Sequence, residues 1–207
     1  MIHWSVLDSE RQAALPRLRF AQEKHFYLAG GTALALQFGH RDSLDFDFFR
    51  QDPFDTNEIL GLLEAAFAPQ QVVKTQDERD TLTVLVNEAI KVSFMAYPYP
   101  LLQPLVEAPP LKLADVADIG CMKLSAITGR AAMKDYVDLY FIVQRIPLDK
   151  LLESCSHKLP RLDRTLILKS LVFFDDLVPE PILFAPGQQV AFDRVKTYLR
   201  DQAKRVS

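Results

Sequence analysis

The chain has 207 residues, 49% hydrophobic and 25% charged, and its 24 Lys and Arg against 27 Asp and Glu give a net charge of -3. This length and composition indicate one compact globular body with an appendage, and they exclude a largely disordered chain. The slight acidity excludes a surface that is basic throughout, although a local basic patch remains compatible with it. Cys121 and Cys155 match neither a metal-ligand spacing nor a disulfide framework, so we interpret them as reduced thiols.

Neither a secretory leader nor a membrane span is predicted. The start "MIHWSVLDSERQ" lacks the basic residues and apolar run of a signal peptide. The longest apolar stretch, around "YLAGGTALALQF", is too short to cross a bilayer. The sequence therefore predicts a cytoplasmic protein without membrane partners.

The first predicted elements are a helix, a short strand, a second helix and a second strand. Residues 7 to 25 have a helical pattern interrupted near Pro16, and "FYLAGG" then predicts a short strand that ends at glycines. The helix "TALALQF" follows, with Gly39 as its stop. In "SLDFDFF" the apolar and polar residues alternate, which predicts a strand with one buried and one polar face. Leu44, Phe46 and Phe48 would be buried, and Asp45 and Asp47 would share the polar face.

The rest of the chain predicts a few more strands and then mainly helices. A helix over 56 to 67 precedes two strands, "TLTVLVN" and "AIKVSFMAY", whereas "YPYPLLQPLVEAPPL" is too rich in proline for a regular element. From Ala114 the pattern is helical through "CMKLSAITGR", "KDYVDLYFIVQR" and the tail. The predicted fold is α+β, a small mixed sheet flanked by helices. We expect residues 1-110 to form this core and 111-207 a helical region that completes the active cleft.

The glycines and the aspartates together suggest phosphate chemistry. A strand that turns through Gly30 and Gly31 into a helix leaves backbone N-H groups unpaired at the helix start, where the helix dipole attracts anions. Thr32 would add a hydroxyl donor. Carboxylates at Asp45 and Asp47, on one face of a neighbouring strand, are hard oxygen ligands suited to Mg2+ that carries nucleotide phosphates. Alternatively, the glycine pair is only a tight connection, and the aspartates are the solvated face of an edge strand.

At these motifs the sequence resembles the nucleotidyltransferases of the DNA polymerase beta type, and more narrowly the AbiEii/AbiGii toxin family of abortive-infection and toxin-antitoxin systems. The resemblance rests on "GGTALAL", "HRDSLDFDFF", "CMKLSAITGR" and "KDYVDLYFI", in that order, over roughly residues 25 to 145. It implies that Gly30, Gly31 and Thr32 hold a nucleoside triphosphate and that Asp45 and Asp47 bind Mg2+ or Mn2+. It also implies an acceptor, such as tRNA or another RNA, and an antitoxin encoded nearby.

The resemblance assigns further roles to the helical region. Lys123 would contact phosphate, Arg130 on the same helix face would assist it, and Asp135 or Asp138 would be the late acidic motif. Alternatively, Lys123 lies at the rim of the core, and Asp135 and Asp138 are a charge pair near a helix N-terminus that is favoured by the helix dipole. An RNA acceptor would need a limited basic patch, for which we consider the tail residues Lys158, Arg161, Arg164 and Lys169.

One position departs from the family pattern. Enzymes of the polymerase beta type usually carry a third carboxylate on a later strand, and the candidate strand "IKVSFMAY" offers Ser93 instead. A hydroxyl is a poor replacement for a carboxylate as a ligand of two metals or as a base. Two hypotheses follow, a metal-dependent nucleotidyltransferase and a catalytically degenerate nucleotide-binding or protein-interaction module on the same scaffold.

Overall fold

The computed structural model describes residues 1 to 206. Its backbone divides into two units, one made of residues 1 to 100 with 104 to 114, and the other of residues 101 to 103 with 115 onward. The first unit contains the whole β-sheet and the second is helical. The predicted α+β architecture with a mixed sheet is therefore confirmed.

Short helices surround the sheet of the first unit. Asp8 caps the first α-helix by accepting a hydrogen bond from the Arg11 backbone N-H at 2.8 Å, and Asp55 caps the fourth in the same way through Asn57 at 2.9 Å. Trp4–Val6 and Leu15–Arg19 are 3-10 helices, and the α-helices within residues 1 to 114 are α1 Ser9–Ala14, α2 Phe20–Glu23, α3 Gly30–Phe38 and α4 Thr56–Phe67.

The sheet is mixed, and its central strand, β2, pairs with β5 from a distant part of the sequence. Its strands are β1 Tyr27–Leu28, β2 Phe46–Arg50, β3 Val72–Glu78, β4 Thr81–Val86, β5 Ile90–Ala96, β6 Val106–Ala108 and β7 Leu111–Leu113. Across the described residues the order is β3-β4-β5-β2-β1-β7-β6. The β2/β5 and β1/β7 pairs are parallel, and the other neighbouring pairs are antiparallel.

Aromatic side chains fill one face of the sheet. Phe46 and Phe48 of β2 are buried, and the Phe48 ring stacks on Phe94 of β5 with centroids 5.0 Å apart. Phe26 contacts Phe94 edge to face at 5.0 Å. Because β2 alternates its side chains, this packing sends Asp47 to the opposite face. The core face of β2 thus determines where its aspartate points.

Two sequence predictions about this unit are wrong. Leu44 is 47% exposed rather than buried, because β2 begins only at Phe46 and the alternation does not extend to residue 44. The segment predicted to lack regular structure contains β6, and β7 begins at its last residue, Leu111. A strand of three residues such as β6 can pair between prolines, because prolines outside its ladder remove none of its hydrogen bonds.

The second unit is a set of packed helices with ion pairs in its interior. Tyr136 is buried, and its hydroxyl donates to the carbonyl oxygens of Ser170, at 3.0 Å, and Phe173, at 3.1 Å. Cys121 and Cys155 are both buried thiols. The α-helices between residue 115 and residue 206 are α5 Val116–Gly129, α6 Met133–Val143, α7 Leu148–Lys158, α8 Arg164–Val172 and α9 Phe192–Val206.

Lys158 is not part of a surface patch, which corrects one sequence prediction. Its ammonium is fully buried and lies 2.6 Å from the fully buried carboxylate of Asp118. Asp118 also accepts backbone N-H bonds from Leu102, at 3.0 Å, and Gln103, at 3.3 Å. A buried charge of this kind requires a partner, and here the partner is internal.

Among residues 1 to 206, no helix combines the length and the apolar character needed to cross a bilayer.

Candidate active site

The start of α3 lies directly against the polar face of β2. Gly30 is the first residue of α3 and has φ +66°, in the left-handed region that favours glycine. A Cβ atom placed on Gly30 would lie 3.3 Å from Oδ2 of Asp47. The Ala29 backbone N-H also donates to the Asp47 carbonyl oxygen, at 3.0 Å. The N-terminus of α3, which is the positive end of the helix dipole, thus lies beside the Asp47 carboxylate.

Gly31 leaves room for a buried arginine. A Cβ atom on Gly31 would lie 2.6 Å from Nη2 of Arg41, so no larger residue fits unless the guanidinium moves. Arg41 is 6% exposed, and its Nη1 donates to the Asp42 carbonyl oxygen at 2.9 Å. A cation is therefore held beside the first turn of α3, in the place where an anion would gain most from it.

The hydroxyl of Thr32 holds the segment that leads into β2. Thr32 is 2% exposed, its hydroxyl lies 2.7 Å from the Ser43 hydroxyl, and it donates to the Asp45 carbonyl oxygen. These contacts connect the first turn of α3 with the backbone of Asp45. The side chain of Thr32 is thus used inside the protein, and its backbone N-H is the group left near the helix start.

A row of polar side chains crosses the sheet from Asp47. Asp47 pairs in register with Ser93 of β5, Ser93 with Thr83 of β4, and Thr83 with Gln76 of β3. Ser93 and Thr83 are both buried, and the Thr83 hydroxyl donates to Ser93 Oγ at 3.3 Å. Ser93 therefore occupies the strand position beside Asp47.

The donor set fits one hard cation better than two. No group of three or more His, Cys, Asp or Glu side chains that could hold a metal occurs in the described part of the chain. Asp45 and Asp47 lie on the partly exposed side of an alternation whose other side is Phe46 and Phe48. Two carboxylates suffice for Mg2+ when water and phosphate oxygens complete its shell.

The predicted residues of the second unit form a charge cluster within that unit. Lys123 Nζ lies 2.7 Å from Asp135 Oδ1 and 2.6 Å from Asp138 Oδ2, and both carboxylates are fully buried. Arg130 Nε donates to Asp135 Oδ2 at 2.8 Å, and the Arg130 side chain is 60% exposed. These four residues connect the C-terminal half of α5, and Arg130 directly after it, with α6. Inside this unit they have the geometry of a buried ion-pair network.

Comparison with known proteins identifies the family. The model of the family "Nucleotidyl transferase AbiEii toxin, Type IV TA system" matches residues 13–204. The chain belongs to this family. The resemblance inferred from the sequence motifs is confirmed by this match, which also extends beyond them to the C-terminal helices.

Relatives of this AbiEii family member include one curated sequence and several solved structures. An uncharacterized protein from Aquifex aeolicus is 41% identical over 157 residues, which are 73% of this chain and 74% of that protein. The structure of MenT4, a nucleotidyltransferase toxin from Mycobacterium tuberculosis, covers 94% of this chain with 82% of its own, at TM-score 0.65 and 18% identity. The structure of JHP933 from Helicobacter pylori covers 100% with 93% of its own, at TM-score 0.61 and 18% identity. At this identity the two structures show a shared fold.

The predicted site residues of this AbiEii family member form two groups, one within each unit. Gly30, Gly31, Thr32, Asp45 and Asp47 lie together at the start of α3 and β2. Arg41 and Thr83 are not among the residues that the sequence motifs predict for the site. Arg41 precedes the strand motif by a few positions in a polar loop, so only its burial against Gly31 distinguishes it.

Gly30→Ala should lower both stability and nucleotide transfer. The left-handed backbone at Gly30 costs an alanine about 1 to 2 kcal/mol, and the new methyl group would press on the Asp47 carboxylate. Urea unfolding and a transfer assay measure the two effects. Gly61→Ala is the matched control, because Gly61 is an exposed helical position with nothing within 4 Å, where alanine should stabilise by about 1 kcal/mol. Equal effects of the two changes would contradict the strain at Gly30.

Asp135 should make unfolding depend on pH in acid. Burial alone would raise the pKa of this carboxyl, but Lys123 and Arg130 outweigh burial and hold the pKa below its ordinary value of 3.8. Because the pKa of Asp135 is lower in the folded than in the unfolded protein, its ionised form stabilises the fold. This stabilisation is complete above the pKa of the unfolded state and is lost as pH falls through the pKa of the folded state. The stability difference between wild type and Asp135→Asn should therefore shrink as pH falls below about 4. Urea unfolding across that range measures it, and a constant difference would contradict the assignment.

Proposed function

We propose that this protein is an active nucleotidyltransferase that moves a nucleoside monophosphate from a nucleoside triphosphate to an acceptor hydroxyl. The observation that carries the proposal is the contact of Gly30 at the start of α3 with Asp47 on β2. This proximity supports a site in which the helix start would hold the triphosphate and the neighbouring carboxylate would hold the metal. A triphosphate that carries a divalent cation needs both groups within a few ångströms.

Each proposed group has one task in this reaction. Backbone N-H groups at Gly30, Gly31 and Thr32 would hold phosphate oxygens, with the Arg41 guanidinium beside them. Mg2+ or Mn2+ held by Asp47 of β2 and by Asp45, just before this strand, would neutralise charge on the phosphates. The acceptor oxygen bonds to the α-phosphorus, the bond from the α-phosphorus to the bridging oxygen breaks, pyrophosphate leaves, and the acceptor proton passes to a carboxylate or to water.

The charge cluster of the helical unit supports a more limited proposal. Lys123 is neutralised by Asp135 and Asp138, so it would contact phosphate only if those ion pairs loosened. Arg130 is the more accessible cation and could bind phosphate in a bidentate way. We therefore propose that Arg130 contacts phosphate. The main role of Lys123 and its two aspartates would then be to hold the Arg130 guanidinium in place.

The toxin role of the family extends the proposal beyond the chemistry. The family description names a toxin of a type IV toxin-antitoxin system. We propose that the acceptor is RNA in the cytoplasm and that an antitoxin encoded nearby counters the activity. With a net charge of -3 the chain cannot bind RNA through its whole surface, so a local contact has to supply the affinity.

A labelling experiment tests the transfer. The purified protein is incubated with each labelled nucleoside triphosphate in turn, with Mg2+ and total bacterial RNA, and the label in RNA is measured. Label with at least one nucleotide, lost on chelation of the metal, would support metal-dependent transfer to RNA. Pyrophosphate release without labelled RNA would support the enzyme but contradict the RNA acceptor. Neither signal, with nucleotide binding still measurable by calorimetry, would contradict the enzyme.

Ser93 favours a second candidate, a module that binds nucleotide without turning it over. A hydroxyl at the position opposite Asp47 cannot complete a three-carboxylate set. Binding without pyrophosphate release under every acceptor tested would favour this candidate over the enzyme.

Ser93→Asp should make the stability of the protein depend on Mg2+. A carboxylate in the buried position opposite Asp47 repels it and loses hydration, so the melting temperature should fall without divalent cation. Added Mg2+ should raise it again, by more than in wild type. Ser93→Asn, which adds similar bulk without charge, should show no such gain. Equal Mg2+ effects in the aspartate and asparagine variants would contradict a metal position at Asp47.

A further inference from the structure

A groove of about 720 Å³ lies between α8 and α9 within the helical unit. Its floor is aliphatic. Leu168 and Val172 are one turn apart on α8, and Ala203 and Val206 are nearly one turn apart on α9. An apolar floor between two helices is the shape into which a third helix packs.

Cations border this floor on both sides. Arg164 and Lys169 of α8 and Arg200 and Lys204 of α9 line the groove, and all of them are exposed. The two arginines are anchored, because Arg164 donates to the Val206 carbonyl oxygen at 2.9 Å and Arg200 lies over the Phe174 ring at 5.0 Å. Although the whole chain has a net charge of -3, basic residues surround this apolar groove.

We propose that this groove binds an amphipathic helix of a partner protein, with an apolar stripe and acidic residues along both edges of that stripe. The apolar stripe would cover the floor, and the acidic edges would meet the cations of α8 and α9. Lys204 has an acidic neighbour, Asp201, at 3.9 Å, and this contact is loose and exposed. The other three cations of the rim provide most of the attraction.

The floor argues for a helix rather than for RNA. None of the groove-lining residues that the structure describes is aromatic, so bases would have no stacking platform. A phosphate backbone bound between the two rows of cations would cover the aliphatic floor with charged groups that must lose water. An apolar stripe buries that floor without this cost.

Defined peptides test the proposal by fluorescence anisotropy. The first peptide, about 15 residues long, places leucines at i, i+3, i+4 and i+7 with glutamates on both sides. The second has the same composition in an order without a stripe, and the third replaces the glutamates with lysines. The full chain should bind the first peptide at least about tenfold more tightly than the other two.

Charge reversal in the groove supplies the decisive comparison. The double variant Lys169→Glu with Lys204→Glu should bind the acidic peptide about tenfold more weakly than wild type and the lysine peptide more tightly. A misfolded variant would not show this gain in affinity. Arg161→Glu with Arg194→Glu makes the same change in net charge outside the groove and should leave both affinities within about twofold.

Two results would overturn the proposal. Equal binding of the striped and the reordered acidic peptides would show that no apolar stripe is recognised. The second result is that the acidic peptide does not bind, whereas total bacterial RNA binds the wild type but not the double variant Lys169→Glu with Lys204→Glu. The groove would then be a nucleic-acid site instead.

Discussion

Replacing Asp47 with Asn is expected to reduce nucleotide transfer by about a thousandfold, since even outer-shell partners of a metal site cost about 10- to 100-fold when they are lost. Asn keeps the size of Asp47 and one carbonyl oxygen but removes the negative charge with which, in the proposed site, Asp47 would hold a divalent cation. The position is sensitive because Asp47 lies beside the α3 start on one side and opposite Ser93 on the other. Initial rates of label transfer at saturating nucleotide and Mg2+ measure the effect.

Asp52→Asn is the matched control for this change. Asp52 is an exposed carboxylate shortly after the end of β2, and removing its charge should leave transfer unchanged. Far-UV circular dichroism of both variants checks that the fold persists. Full activity in a folded Asp47→Asn protein would remove the central residue of the proposed site.

Lys123→Met is expected to lower the free energy of unfolding by about 3 to 5 kcal/mol, the usual cost of breaking a buried ion pair on one side. The change leaves Asp138, which is fully buried, without its ammonium partner, and leaves Asp135 with Arg130. Urea denaturation at neutral pH measures the loss. Lys150→Met is the control, because Lys150 is an exposed lysine of α7 paired only at the surface with Glu153.

A double variant separates structure from phosphate contact. Adding Asp138→Asn to Lys123→Met removes the buried charge that has lost its ammonium partner, so part of the lost stability should return. This variant also keeps the test informative if the single variant does not fold. Wild-type stability of Lys123→Met together with reduced affinity for nucleotide would contradict the ion-pair role and favour direct contact with phosphate.

The parts of the fold that depend on local sequence were predictable. Gly39 ends α3 as expected, because its φ of +63° is a left-handed helix cap that glycine adopts easily. The alternation of Phe46 and Phe48 with Asp47 correctly predicted two buried aromatic side chains and a partly exposed aspartate in β2, whereas Asp45 lies before the strand. Leu44 was predicted wrongly, because alternation alone does not indicate where the hydrogen-bonded pairing of a strand begins.

The features that sequence reasoning missed depend on distant partners. A lysine near a helix end is usually exposed, and Lys158 is buried only because Asp118, far away in the sequence, neutralises it. The same holds for Arg41, whose place beside Gly31 follows from the packing of a loop on α3. Pattern reading identifies residue types suited to a site, but burial and pairing need the tertiary structure.

The parallel pairing of β2 with β5 also determines when the proposed site can form during folding. The strands β3, β4 and β5 are joined by short turns, whereas the pairing of β2 with β5 has to close a much longer loop, which costs more chain entropy. We therefore expect Asp47 and Ser93 to become neighbours late. After dilution from urea, secondary structure should return first, and the ability to bind nucleotide should return with the slowest refolding phase.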